Sequence, residues 1–373
     1  SVLLFTSFGI AGLFAVLRDW FTKIPQTWFS KGMMKYGSVG GFYISPMLVA
    51  IGYIVGPLFI GVWFLGAVVG DFGILIFGQK FGFFTLQQAT DIKQSLGLGM
   101  MVGTGIGILI KGILPNLKKI FGAMFSKENT GDSILPMRWA PIFLVLLVFV
   151  LTYVCNLGII ASVITIIGVW LTTSMSSQCV GQSGINPMEI FGIFVLLVVK
   201  TISSIGQNEA LFVAAIVAIA CGLTGDVMND FKAGHILKTN AKAQWIAEVI
   251  GGFIGAIVSV FVFYFMLKAY GGNAFNDGTF AAAQAHAVSA MITGISNYPV
   301  FMFGLVAAAI LYCLKLPVMT FGLGVYLPFY LSATAFIGGA LRFIVDKFLP
   351  NFEKESKGQI IASGVLGGEG VVG

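Results

Sequence analysis

Long apolar windows separated by short polar breaks run through the whole chain. They fall at about 1–17, 43–77, 97–114, 139–155, 158–177, 187–203, 209–224, 245–267, 298–314, 318–341 and 358–373, each bounded by Gly, Pro or charge. Runs such as Phe143–Tyr153, Ile190–Val199 and Phe253–Leu267 lie inside windows of about 17–25 residues, the length an α-helix needs to cross hydrocarbon. The pattern predicts an all-α polytopic membrane protein with about eleven transmembrane segments. The first window starts without a methionine or a signal pattern, and the last is still apolar where the chain stops, so both ends read as truncated.

Composition agrees with this class. Of 373 residues, 57% are hydrophobic and only 10% charged, against roughly 25% charged in a soluble domain. There is too little polar surface to solvate a globule. The net charge of +6 resides between the spans and reads as loop bias, not as a nucleic-acid footprint. Basic clusters at 18–37 (Arg18, Lys23, Lys31, Lys35), 115–138 (Lys118, Lys119, Lys127, Arg138) and 226–244 (Lys232, Lys238, Lys242) fit one cytoplasmic side. The 342–357 loop, with Arg342, Lys347, Lys354 and Lys357, dissents from that assignment. Cys155, Cys179, Cys221 and Cys313 stand singly in apolar stretches and read as small hydrophobes. With only two histidines in the chain, a His-based metal site is not expected.

An internal echo suggests duplication. Pro46 to Pro57 resembles Pro317 to Pro328: a Pro opens an apolar segment, Gly-Tyr or Gly-x-Tyr follows, and a second Pro closes it. This predicts two parallel repeats, with 1–115 the C-terminal part of the first, 116–137 a cytoplasmic linker, and 138–373 the second. Pro and Gly inside a span free backbone groups that hydrocarbon cannot satisfy, so discontinuous helices line cavities or lie under neighbours. Breaks are expected at 45–57, 171–187, 222–225 and 317–328. At the end of the 171–187 segment, Asn186-Pro187-Met188-Glu189 has the form of a capping box, a helix start whose free N–H groups suit an anionic substrate group.

The acids follow the same logic. Asp71 sits alone in an apolar span, where an unpaired carboxylate costs several kcal/mol and must be paired, protonated or wet. Glu209 and Glu248 read as helix-start acids. Asp226 and Asp230, four apart beside Lys232 and His235, read either as a solvated cytoplasmic loop or as a cluster of function.

Four stretches together resemble the oligopeptide transporter family, its bacterial and yellow-stripe-like branch in particular. They are Ile44–Gly56, Gly181–Met188, Gly225–His235 with Ala243-Gln244, and Gly322–Pro328 followed by Ile337-Gly-Gly339 and Ala362 to Gly370. Their order and spacing agree over about residues 40–373. The resemblance implies a proton-driven symporter in the plasma or inner membrane, importing small peptides or metals held by peptide-like chelators. It also implies a longer protein, most of whose first half is absent here. The broken segments would frame the substrate, with Tyr53, Gln182, Ser183, Asn186 and Tyr326 as candidate contacts. Asp71, Glu189, Asp226 and Asp230 are the candidate protonation sites, with the proton as coupling ion and no other cofactor. The expected partners are the substrate and the bilayer, and a homo-oligomer stays open. The alternatives are a channel, or an intramembrane enzyme using Asp71 and Asp226 as a dyad. The second lacks any Gly-x-Gly-Asp or His-Glu-x-x-His box, so no enzyme is expected.

Overall fold

A computed structural model of the chain describes residues 2–108, 110, 111, 115, 139–183, 186, 188–272 and 295–373. The predicted 116–137 linker lies outside the described residues. The principal helices are α1 Val2–Ala15, α2 Pro46–Val55, α3 Pro57–Ala67, α4 Leu86–Ile108, α5 Ala140–Tyr153, α6 Ile159–Ser183, α7 Met188–Ile202, α8 Gln207–Leu237, α9 Ala241–Tyr270, α10 Tyr298–Cys313, α11 Val318–Tyr326, α12 Phe329–Phe348 and α13 Lys357–Val372. Two three-residue strands, β1 Thr27–Phe29 and β2 Gly41–Tyr43, pair antiparallel before α2. Six helical segments among the described residues are long and apolar enough to span a membrane. The sequence windows numbered more, partly because several of the helices within them are short: α2 and α10 fall below spanning length.

The chain forms two compact units, Ser1–Ile108 with Ile295–Gly373, and Leu109–Gly294. In the first unit both Pro-bounded segments are broken as the sequence suggests. Ser45 accepts a hydrogen bond from the Leu48 N–H (3.2 Å) and Pro46 opens α2. Gly56 then turns the chain at φ 92°, a conformation glycine adopts without strain, and Pro57 opens α3. On the other side, Leu327-Pro328 separates α11 from α12. Past α3 the helix continues as a ten-residue π-helical turn, Val68–Phe77, a geometry that is rare and concentrates at functional sites.

The two broken segments interlock. A side chain at Gly52 of α2 would run into the Ala335 carbonyl of α12, and one at Gly338 of α12 into the Val49 carbonyl of α2. The other half of the pattern is the same: Gly324 of α11 lies on the Trp63 carbonyl of α3, and Gly66 of α3 on the Phe321 carbonyl of α11. Each residue and its counterpart are equally far apart in the sequence. Phe64 and Phe336, at that same separation, stack on each other at 4.3 Å. The outer helices follow suit: α1 lies along α13 through Gly12, Gly364 and Gly368, and α10 lies along α4 through Gly99, Gly103 and Gly304. Small residues are what allow backbones to pack this closely where lipid supplies no hydrophobic drive between helices.

In the second unit, α6, α7 and α8 pack together and α5 joins α6. The expected break at 222–225 is not there: α8 runs without interruption from Gln207 to Leu237. Gly222 and Gly225 are tolerated because Gly225 lies against the Asn186 side chain, so the absent Cβ serves packing, not bending. The presumed 226–244 loop is likewise mostly helix. A three-residue turn joins α8 to α9, with Lys238 left-handed (φ 58°) and Asn240 accepting from the Lys242 and Ala243 N–H groups. Helix α9 buries none of its residues among those described.

Candidate functional site

The most deeply buried acid among the described residues of the first unit lies on the π-helical turn. Asp71 is 1% exposed. Its Oδ2 accepts from the Lys93 ammonium of α4 (2.6 Å) and its Oδ1 from the Ser38 hydroxyl (2.7 Å). Lys93, 7% exposed, also reaches the Leu327 carbonyl (3.4 Å), at the break between α11 and α12. Asp71 is therefore not the isolated carboxylate that the span pattern suggested. A lysine 22 residues away in sequence balances it, and no local pattern could have announced that partner.

A second buried network pins the start of α2. Glu369 of α13, 3% exposed, forms an ion pair with Arg18 and accepts from the Ser45 hydroxyl (2.8 Å) and the Met47 N–H (2.6 Å). Arg18 also donates to the Ile44 carbonyl (2.9 Å) and to Asp19 (2.7 Å). Here the sequence reading needs correction: Arg18 is not part of a solvated basic loop but is buried against α13. Its signal was a Gly-Glu-Gly in an otherwise apolar window, which marks a carboxylate needing a cation.

The proposed substrate contacts scatter. Tyr53 is buried; its hydroxyl donates to Glu353 (2.8 Å), and Arg342 both stacks over its ring and pairs with Glu353 (2.7 Å). Tyr326 ends α11, half-buried against Gly97 of α4. Both belong to the first unit. Gln182 and Ser183 fall in the last turn of α6, and their side chains are outside the described residues.

Asn186 hooks the second unit together. Its amide donates to the Cys221 carbonyl (2.8 Å) and its oxygen accepts from Ser176 (2.7 Å), while Ser176 also donates to that carbonyl (3.0 Å). Its side chain thus ties α6 to α8, where the capping box would have turned it onto α7. Glu189 is half-buried in the first turn of α7. Asp226 and Asp230 are exposed on α8, and Glu248 of α9 lies near both. Among the described residues no His, Cys, Asp or Glu group is arranged to hold a metal ion.

Apolar spans, interrupted helices packed glycine on carbonyl, and buried ion pairs at helix ends are those of a multi-pass membrane protein. The family model of the OPT oligopeptide transporter proteins matches residues 2–373, and the chain belongs to that family. It is 26% identical over 193 residues to a Haemophilus influenzae protein named "Putative oligopeptide transporter", a match covering 44% of this chain and 30% of that protein. It is 25% identical over 170 residues to the "Probable metal-nicotianamine transporter YSL11" of Oryza sativa subsp. japonica, covering 40% of this chain and 24% of the relative. With the metal-nicotianamine transporter YSL2 of Arabidopsis thaliana it shares 29% identity over 113 residues, covering 28% and 16%. The chain thus spans less than a third of the length of each of these relatives.

Proposed function

We propose that this chain forms part of a proton-coupled symporter that imports small oligopeptides or metal-chelate complexes across the cell membrane. The observation that carries the reading is the Asp71–Lys93 pair, buried in the first unit and touching the carbonyl where α11 and α12 part. An ion pair at a helix break is placed to respond to a proton and to move the break. The reciprocal glycine contacts support a duplicated module within the first unit, with its axis between Phe64 and Phe336. Asn186, Glu189, Asp226 and Asp230 are secondary candidates for substrate or proton contact, on the second unit.

Uptake of labelled peptides and of labelled metal chelates into proteoliposomes, with and without an imposed pH gradient, tests the reading. Gradient-driven accumulation of one class is expected. Asp71→Asn should reduce that accumulation at least tenfold, while exchange of substrate without a gradient continues. Unchanged pH dependence in Asp71→Asn would place coupling elsewhere.

A further inference from the structure

The segment between α1 and α2 turns aromatic rings outward. In the hairpin Trp28 is paired with Phe42, and the period of two sends these residues to one face and Phe29 and Tyr43 to the other. The inner pair meets Tyr330 of α12, with ring centroids 5.4 Å apart for Phe29 and 6.3 Å for Tyr43. The outer pair stacks at 6.4 Å and is exposed. A hairpin bathed in water would be polar on that side.

The patch extends beyond the hairpin. The segment begins where the candidate span Val2–Trp20 ends. Gln79, at the end of the candidate span Pro57–Lys80, donates to the Tyr36 carbonyl (2.7 Å), and Gly37 lies against Leu86. These contacts join 20–43 to 77–86. Trp20 and Phe21 on the first stretch are exposed, as are Phe77, Phe81 and Phe83 on the second. Among the rings stand Lys23, Lys31, Lys35 and Lys80, all exposed and none in an ion pair among the described residues. No nearby acid answers them. Between Asp19 and Asp91 the chain has only Asp71, which is buried, and Asp19 is taken by Arg18 and Gln26.

Exposed aromatics mixed with lysines at the ends of spans suit the depth where hydrocarbon gives way to headgroups. We propose that this face docks on anionic phospholipid headgroups, with Trp28 and Phe42 seated at headgroup level and the four lysines on lipid phosphates. Charge selects the occupant. An anionic surface attracts each nearby lysine, by about fivefold in affinity apiece, and a zwitterionic one offers no net counter-charge. A second copy placed on a two-fold axis would set lysine against lysine. The proposal rests on the membrane-spanning class of the chain and not on what it carries. The same strap holds Ser38, which donates to Asp71 (2.7 Å), so a lipid that steadies the strap steadies that contact.

Trp28 reports the docking. The protein is reconstituted in phosphatidylcholine vesicles with about one part in five of phosphatidylglycerol, which makes the surface anionic. Bromine, a contact quencher of indole fluorescence, is carried on the acyl chains of the phosphatidylglycerol in one set and of an equal amount of phosphatidylcholine in the other. The difference between the native protein and Trp28→Phe isolates the Trp28 signal. Brominated phosphatidylglycerol is expected to quench it about threefold more than brominated phosphatidylcholine. The preference should vanish in about 1 M NaCl, where the screening length is about 3 Å. It should vanish too in Lys23→Gln/Lys31→Gln/Lys35→Gln/Lys80→Gln. The salt arm uses the native protein, so it decides even where the quadruple variant does not fold. Equal quenching by the two lipids overturns the proposal, as does a preference that survives salt or, in the folded variant, loss of the lysines. Quenching by aqueous acrylamide alone puts the hairpin in water, and protection from acrylamide and both lipids puts another protein surface on it. Either result overturns the proposal as well.

Discussion

The two broken segments share one backbone plan and differ in what holds them. Helix α2 is fixed at its N-terminus: Glu369 accepts from Met47 and Ser45, with Arg18 as counter-charge. Helix α11 is held at its C-terminus: Lys93 donates to Leu327, with Asp71 as counter-charge. Each charge has the sign that its helix pole favours, an acid at the positive end and a base at the negative end. The lesson is that packing repeats while electrostatics does not. Glycine-on-carbonyl contacts need only small residues in register, which both segments supply. The ion pairs need partners from elsewhere, and these come from α13 and the π-helical turn Val16–Trp20 after α1 in one case, and from α4 in the other.

The largest expected effect comes from breaking the α2 anchor. Glu369→Ala leaves Arg18 buried with only Asp19 to balance it and should cost about 3–5 kcal/mol, read as a loss of unfolding free energy in detergent. Glu369→Gln keeps the shape and should cost clearly less. Equal losses in the two would show that volume, not charge, holds α2.

Next in size are Gly52→Ala and Gly324→Ala. In each, the new Cβ meets a backbone carbonyl that has to shift, at about 1–3 kcal/mol. The two losses should be similar, because the contacts are reciprocal. A difference of more than about 1.4 kcal/mol, tenfold in the equilibrium constant, would break the equivalence of the halves.

Gly56→Ala separates conformation from packing. Nothing lies near a Cβ there, but the backbone sits at φ 92°. A loss of about 1 kcal/mol is expected from the backbone alone. No loss would mean that the turn relaxes, and that the proline after it makes the break. The smallest effect is Asp230→Asn. The residue is exposed on α8, and unfolding should change by less than about 0.5 kcal/mol.

Much of the candidate site was half-legible. Asp71 stood out because a carboxylate in an apolar run has few explanations, and the breaks at 45–57 and 317–328 stood out because proline and glycine have fixed backbone consequences. Lys93 did not. It sits in the polar N-terminal stretch of α4, two turns into the helix, where the local pattern says only that a helix is under way. Arg18 was hidden similarly, among lysines that do face water. The polar run around Gly222–Gly225 misled in the other direction: its glycines answer a neighbouring side chain, and local sequence cannot distinguish a glycine that bends from one that makes room.

What the sequence determined by itself is the class and the punctuation. Apolar windows of spanning length force helices, since hydrocarbon leaves backbone polar groups no other partner, and Pro-bounded glycine turns set where two of those helices stop. Tertiary structure alone decided the pairings: which helix each glycine face meets, and which distant base neutralises each buried acid. Those choices depend on contacts such as Arg18 with Glu369, 351 residues apart. No local rule reaches that far, because the energy of a buried charge is set by what surrounds it in space and not by its neighbours along the chain.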